Sequence, residues 1–406
     1  MDIIQFVGMP IEWPEKPSKM SYSQLLKIEA CPYGWALSRA KYPDLWDKVG
    51  YPERPGVKTI IGSIVHLGVE IIIKNLKQNN CYSINDPNAF QIMKKLGGYS
   101  KLIENCTEKI ISNHNDNPRF QRIKEFVLNT IWSKSEDVRE NIQSILGRLQ
   151  LQPISTTREH EVRDGSHRQP LGYGSYPEVK LEAISIGWQG IADLINISEK
   201  EIEIVDYKTG GLSENHNFQL QVYSLLWSRD IILNPNFRLA NKLTLSYPKK
   251  DVQVPVPTSK GLETIELELK DRTSDALNSI ASGEPKAKPS QFRCPNCTIR
   301  HNCGYYWENL GEFKIESDEK NDVKFIDLEV TIIESRGPFS WNARVDFSNI
   351  LKEGSNLLII ANNETIDFKP RDCVRILRSK LILDTVDPYQ PPIVELNIFS
   401  EVFRFS

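Results

Sequence analysis

GIADLINISEKEIEIVDYKTG, residues 190–210, decides how the rest of the chain is read. Two runs with alternating apolar residues, IADLINI and EIEIVDY, flank the polar SEK, the pattern of two antiparallel strands joined by a hairpin. Asp193 lies in the first run, and Asp206 follows 13 positions later in the second, with Tyr207 and Lys208 directly after it. Strand side chains alternate between faces, so Asp206 and Lys208 share one face, and antiparallel pairing can carry Asp193 beside them. Two converging carboxylates make a hard oxygen site for Mg²⁺ or Mn²⁺. An ion there, with an ammonium group next to it, suits phosphodiester hydrolysis. The plainer reading of a lone D-x-K is a surface ion pair of little energetic weight.

Upstream, SYSQLLKIEA (21–30) reads as a helix opened by a Ser21/Gln24 capping box, and Pro32 after Cys31 predicts a break or kink. Residues 60–150 are mostly helical in pattern, with IGSIVHLGVEIIIKNLK (61–77), AFQIMKKL (89–96) and RFQRIKEFVLNTIW (119–132) as amphipathic segments and CYSINDPN (81–88) as a loop. After Pro153 the period becomes two. TREHEVR (157–163) and EVKLEAISI (178–186) precede the hairpin as strands, with GSHRQPLGYGSYP (165–177) as the loop between them. A helix, HNFQLQVYSLLWSRDII (216–232), and a strand, NKLTLSYP (241–248), come after it. This predicts a mixed sheet with helices packed on it.

The 406 residues are enough for two or three domains, and 40% hydrophobic with 25% charged residues is the balance of a soluble globular protein. The opening residues have no signal-peptide pattern and no apolar run spans a bilayer, so a cytoplasmic protein without membrane contact is expected. A net charge of −3 excludes a uniformly basic surface but not a local basic stripe. Seven cysteines, three of them in CPNCTIRHNC (294–303), point to metal binding rather than a disulfide framework.

Two further pairs sharpen the acidic motif. GSIVHLGVE places Gly62 four residues before His66 on one helical face, and NFQLQVY places Gln219 and Tyr223 at the same spacing. Each alone is as easily a core histidine or a half-buried polar face. Together, G-x-x-x-H at Gly62–His66, G-x-x-D at Gly190–Asp193, D-Y-K-T-G at Asp206–Gly210 and Q-x-x-x-Y at Gln219–Tyr223 resemble, in order, the motifs of the PD-(D/E)XK nuclease superfamily in its RecB-like branch. The resemblance implies a restriction-endonuclease-like α/β core, a mixed sheet flanked by helices. It implies that Asp193, Asp206 and the Tyr207 carbonyl hold Mg²⁺ or Mn²⁺ with His66 as an additional ligand, that Lys208 serves the attacking water, and that Gln219 and Tyr223 position the lysine or DNA. Ala192 stands where the family name has proline, outside the ligand set. Glu70 is read as a salt-bridging residue in preference to an outer partner of the site.

Among iron-sulfur members of that branch, the AddB-like and CRISPR-adaptation-type nucleases, one cysteine precedes the histidine motif and three follow the Q-x-x-x-Y helix. By this resemblance Cys31, Cys294, Cys297 and Cys303 bind a [4Fe-4S] cluster of structural role. Zinc is the alternative, including a local site in which His301 replaces Cys31. Cys81, Cys106 and Cys373 are read as buried small apolar residues.

Beyond Glu319, five or six short strands predict a C-terminal small all-β barrel, OB-like. Its stretch KPRDCVRILRSKL (369–381) carries Lys369, Arg371, Arg375, Arg378 and Lys380, either a phosphate-tracking stripe or a solvated face on a docking module. The expected organisation is 1–79 with the first cluster cysteine and the histidine motif, 80–152 a helical lobe, 153–290 the nuclease core, 291–315 an iron-sulfur clasp and 319–406 the barrel. The expected function is a metal-dependent DNA nuclease on single strands or DNA ends, in recombination, repair or defence. With no G-x-x-x-x-G-K-[ST] loop in the chain, unwinding is expected from a helicase or other partner subunit. The alternative is a non-catalytic DNA-binding scaffold that retains the nuclease fold.

Overall fold

The structure, a computed structural model, describes residues 4–6, 8–42, 50–153, 168–281, 285–313, 316–318, 323–361, 366–383 and 390–405. The expected strand TREHEVR lies outside them. After a short strand β1 (Ile4–Phe6), α1 (Tyr22–Ala30) starts where Ser21 Oγ accepts the Gln24 N–H at 3.4 Å. It stops at Cys31, whose extended backbone suits the residue before a proline, and Pro32 opens α2 (Pro32–Arg39) at the position where its missing N–H costs nothing.

The helical lobe follows: α3 (Val57–Gln78), α4 (Ala89–Lys95), α5 (Gly98–Ser112), α6 (Pro118–Gln121), α7 (Lys124–Ser133) and α8 (Ser135–Arg148). RFQRIKEFVLNTIW is thus split at Arg122–Ile123 into two helices. The α3 stripe of Ile64, Ile72 and Leu76 is buried against Leu102, Ile142 and Leu146. Gly68 permits the close approach, since a Cβ there would lie 2.8 Å from Ile142 Cδ1.

A five-stranded sheet holds β2 (Gly174–Ala183), β3 (Trp188–Ile197), β4 (Ile202–Tyr207), β5 (Lys242–Tyr247) and β6 (Lys250–Gln253) in that order. Only β4 and β5 run parallel, joined by the crossover helix α9 (Glu214–Arg229). The helices α1, α9 and α10 (Ser259–Ser279) share one core with the sheet, and the lobe packs on Leu194, Val205 and Tyr207. EVKLEAISI ends in a 3₁₀ turn at Ile184–Ile186, and the loop expected to reach Pro177 gives way to β2 at Gly174. The strand β6 and the helix α10 are additions to the expected pattern. The α10 apolar stripe, Leu262, Ile265, Leu269 and Ala276, sits in a strongly charged sequence.

After α11 (Gly304–Glu308) come β7 (Glu316–Asp318), β8 (Val323–Gly337), β9 (Ser340–Ser348), β10 (Asn356–Ala361), β11 (Cys373–Ile382), β12 (Ile393–Leu396) and β13 (Glu401–Phe405). Strands β8, β9, β10, β12 and β11 pair in sequence, and β11 bonds back to β8, closing a five-stranded barrel. In it β10 and β12 are parallel and the other pairs antiparallel, an OB-like arrangement. IVELNIFSEVFRF is two strands separated by a turn at Asn397–Ser400. Outside the ring β13 pairs with β11, and β1 adds to β13 in parallel, so residues from both ends of the sequence share one sheet.

The barrel is fastened to the rest by buried ion pairs. The Arg119 guanidinium, from the lobe, donates to both carboxylate oxygens of Glu401 on β13 at 2.8 and 2.9 Å and also to the Pro52 and Thr298 carbonyls. Arg300 donates to Asp327 of β8 at 2.6 Å, and Tyr306 donates to the same carboxylate at 2.9 Å. Two residues of the basic stretch in β11, Arg375 and Arg378, reach across this contact. Arg375 donates to Glu329 and the His301 carbonyl and lies over the Trp307 ring at 4.8 Å, while Arg378 reaches Asn296 and Lys380 pairs with Glu395. Arg375 and Arg378 thus bond within the chain. Among the described residues no helix is long and apolar enough to cross a membrane.

Candidate active site

The β3–β4 ladder is in register from Ile197↔Ile202 to Leu194↔Val205, and the next step places Asp193 opposite Asp206. Asp193 Oδ2 accepts the Tyr207 N–H at 2.5 Å, and Asp193 Oδ1 lies 3.5 Å from His66 Nδ1, which α3 brings to the sheet. Two glycines make these approaches possible. A Cβ at Gly62 would lie 2.9 Å from Thr209 Oγ1, just past Lys208. One at Gly190 would lie 2.8 Å from Tyr223 Cε1 and 3.1 Å from Leu226 Cδ1, so only glycine lets α9 settle on β3 here.

Lys208 Nζ is 2.5 Å from Asp206 Oδ2 and donates to Gln219 Oε1 at 3.1 Å, and Gln219 Nε2 donates to the Tyr223 hydroxyl at 2.8 Å. Tyr223 thus fixes Gln219, and Gln219 fixes the lysine. The structure brings Asp193, Asp206, Tyr207, Lys208, His66, Gln219 and Tyr223 to one end of the sheet. Glu70 pairs with Lys74 one turn along α3, the ordinary ion pair expected of it.

One carboxylate is an addition to the residues named from the sequence. Glu178 on β2 has a donor atom which, with one each from His66 and Asp193, forms a group lying within 4.8 Å of one another. Its backbone is left-handed, with φ of 53°, a conformation that no alternation pattern announces for a glutamate.

The electrostatics show a shortage of positive charge. Burial first, and the Asp193 charge second, push Asp206 up to about 6 despite Lys208. Burial, Asp193 and Glu70 push Glu178 up to about 7. Burial pulls His66 down, but the hydrogen bond and charge of Asp193 outweigh it and the net shift is upward. Asp206 is buried, with Lys208 Nζ against its Oδ2. Crowded oxygen donors beside an imidazole nitrogen fit a divalent cation.

Cys31, Cys294, Cys297 and Cys303 are free thiols lining one cavity of about 300 Å³ at the junction of α1, α2 and the segment before α11. They do not gather tightly: among the described residues no three of their Sγ atoms lie within 4.8 Å of one another. Each sulfur receives a backbone N–H. Gly34 and Lys288 donate to Cys31 at 3.3 and 3.4 Å, Ser290 to Cys294 at 3.3 Å, and the Ile299 and Tyr306 amides face Cys297 and Cys303. A Cβ at Gly34 would stand 3.5 Å from Cys31 Sγ and 4.0 Å from Cys297 Sγ, filling the space between two of the thiols. Burial raises Cys297 and pushes Cys303 up to about 12. The His301 ring is fully buried, stacked on Phe403 at 3.9 Å and against Tyr51 at 4.4 Å, and is not part of that cavity's lining. A local zinc site completed by His301 is therefore not formed. Cys81 and Cys106 are buried as expected, whereas Cys373 on β11 is only half-buried.

The sequence matches the PD-(D/E)XK nuclease superfamily over residues 19–304, and the chain belongs to that superfamily, whose members use divalent metal ions. No curated protein matches it. Among solved structures it is similar to the crystal structure of SSO0001, with 20% identity over 32% of this chain and a TM-score of 0.21, and the chain spans 60% of that protein's length. A murine DNA binding protein bound with double-stranded DNA is similar at 7% identity, over 57% of this chain and 93% of that one, with a TM-score of 0.15.

Proposed function

We propose that this protein is a divalent-metal-dependent DNA nuclease of the RecB-like, iron-sulfur-containing branch, hydrolysing phosphodiesters in single-stranded DNA or at DNA ends and working with a helicase or another partner subunit. The observation that carries the reading is Asp193 set beside both His66 and the Tyr207 amide, with Asp206 opposite it in the ladder paired to Lys208, which Gln219 holds. Asp193, Asp206, His66 and the Tyr207 carbonyl would hold Mg²⁺ or Mn²⁺, which supplies a water of lowered pKa and offsets charge on the phosphoryl oxygens. Lys208, held by Asp206 and Gln219, would orient the attacking water. Tyr223 keeps that lysine in line through Gln219, so it acts by position.

The four cysteines would hold a [4Fe-4S] cluster, which braces the two ends of the nuclease domain when bound. Two features support a shared inorganic group there: a cavity of about 300 Å³ lined by all four cysteines and an amide donor at each sulfur. Anaerobic purification should yield a brown protein that Cys294→Ser bleaches. A colourless preparation carrying zinc overturns the cluster.

The nuclease reading is tested on end-labelled single-stranded and duplex DNA with Mn²⁺, comparing wild type, Asp206→Ala and Lys208→Ala. Cleavage by wild type alone supports it. Equal cleavage by all three places the activity elsewhere, and DNA binding without cleavage by any of them favours the scaffold.

A further inference from the structure

We propose that Glu178 is a direct ligand of the divalent ion, completing a three-donor set with His66 and Asp193. This rests on the nuclease reading and extends it to a residue outside the family's motifs. The first ground is geometric. The β2–β3 ladder pairs Pro177 with Leu194 and Val179 with Ala192, which leaves Glu178 directly across from Asp193. Donor atoms of Glu178, Asp193 and His66 then lie within 4.8 Å of one another, and they form the sole such group of three among the described residues. Bonds of about 2.1 Å to a hard cation put neighbouring donors about 3 Å apart, so the three would close in on the ion as it binds.

The second ground is what the carboxylate lacks. Among the described residues the Glu178 side chain makes no hydrogen bond and no ion pair, although it stands beside another carboxylate. Two like charges side by side repel, and a cation at the centre of the three donors offsets that repulsion. Glu70, the other acidic group near it, is already engaged by Lys74.

The third ground is conformational. A φ of 53° is unfavourable for a glutamate, and the neighbouring pairs of the ladder stay in register on either side, so the local conformation turns this one residue without shifting the strand. The consequence is a separable variant. Glycine adopts this conformation freely, so Glu178→Gly relieves the backbone while deleting the carboxylate.

The test is Mn²⁺ binding to the full chain, followed by the loss of the free-ion EPR signal, for wild type, Glu178→Gln, Glu178→Gly and Asp193→Asn, with thermal melts of each. Both Glu178 variants should bind Mn²⁺ about tenfold or more weakly, a loss at least as large as that from removing an outer-shell partner. Glu178→Gly should melt no lower than wild type, which separates lost ligation from lost folding. Wild-type affinity in both Glu178 variants, with binding lost in Asp193→Asn, overturns the role of Glu178 and leaves the nuclease reading standing. Wild-type affinity in Asp193→Asn as well places the ion elsewhere, and both ideas fall.

Discussion

Replacing Asp206 by asparagine isolates the charge imbalance of the site. In the ion-free protein its carboxyl is raised from 3.8 to about 6, by burial first and by Asp193 second. That difference, about two units, corresponds to about 3 kcal/mol. The sign follows from linkage: a raised carboxyl contributes its stability below pH 4 and loses it as the pH climbs through 6, so at pH 7.5 the ionised group burdens the fold. Asp206→Asn keeps the shape without the charge. In EDTA at pH 7.5 it should melt several degrees above wild type, and the two should coincide near pH 4. Mn²⁺ should raise the melting point of wild type and leave the variant nearly unmoved. Scanning fluorimetry across pH 4–8, with EDTA or Mn²⁺, reads both effects. A variant less stable than wild type in EDTA at pH 7.5 would show that Lys208 alone satisfies Asp206, and the reasoning from charge shortage would be wrong.

Two other predictions concern the frame around the site. Burial acts to raise Glu401, but the charge and hydrogen bonds of Arg119 overcome it and hold the carboxyl down at about 2. Glu401→Gln should therefore cost about 3 kcal/mol at pH 7, with Arg119 left buried and unpaired, and the gap to wild type should close as the pH falls from about 4.5 towards 2, read by urea unfolding at each pH. Gly190→Ala drives a methyl against the Tyr223 ring and should destabilise by about 1–3 kcal/mol. Because it pushes the tyrosine off Gln219, it should also lower single-turnover cleavage while Mn²⁺ affinity holds.

Much of the site is legible as spacing. The hairpin from Asp193 to Lys208 follows from alternation, and Gln219 and Tyr223 follow from helical periodicity, because those signals are local. Gly62 and Gly190 are visible as motif letters, but their reason, the approach of Thr209 and of Tyr223, exists only once α3 and α9 dock. Glu178 is hidden for a different cause. Within EVKLEAISI it reads as the first residue of an ordinary strand, and its relation to His66 depends on a left-handed backbone and a partner 112 positions earlier. The helix α10 is masked by charge, since its four buried residues are spread through 21 positions rich in Glu, Lys and Asp. Barrel closure, through the pairing of β11 with β8, is likewise a long-range fact that strand patterns leave open. The arginines of β11 carry the same lesson: a basic stretch says nothing of whether its charges face a polyanion or, as with Arg375, a neighbouring glutamate and an aromatic ring.

The most direct measurement is single-turnover cleavage of a 5′-labelled single strand in Mn²⁺ by wild type and Asp193→Ala, purified side by side and matched for melting profile in EDTA. Asp193 touches His66 and the Tyr207 amide at once, so its loss should dismantle the ion site and slow cleavage by about a thousandfold. Cleavage by the variant at the wild-type rate would contradict the metal-dependent nuclease at this end of the sheet.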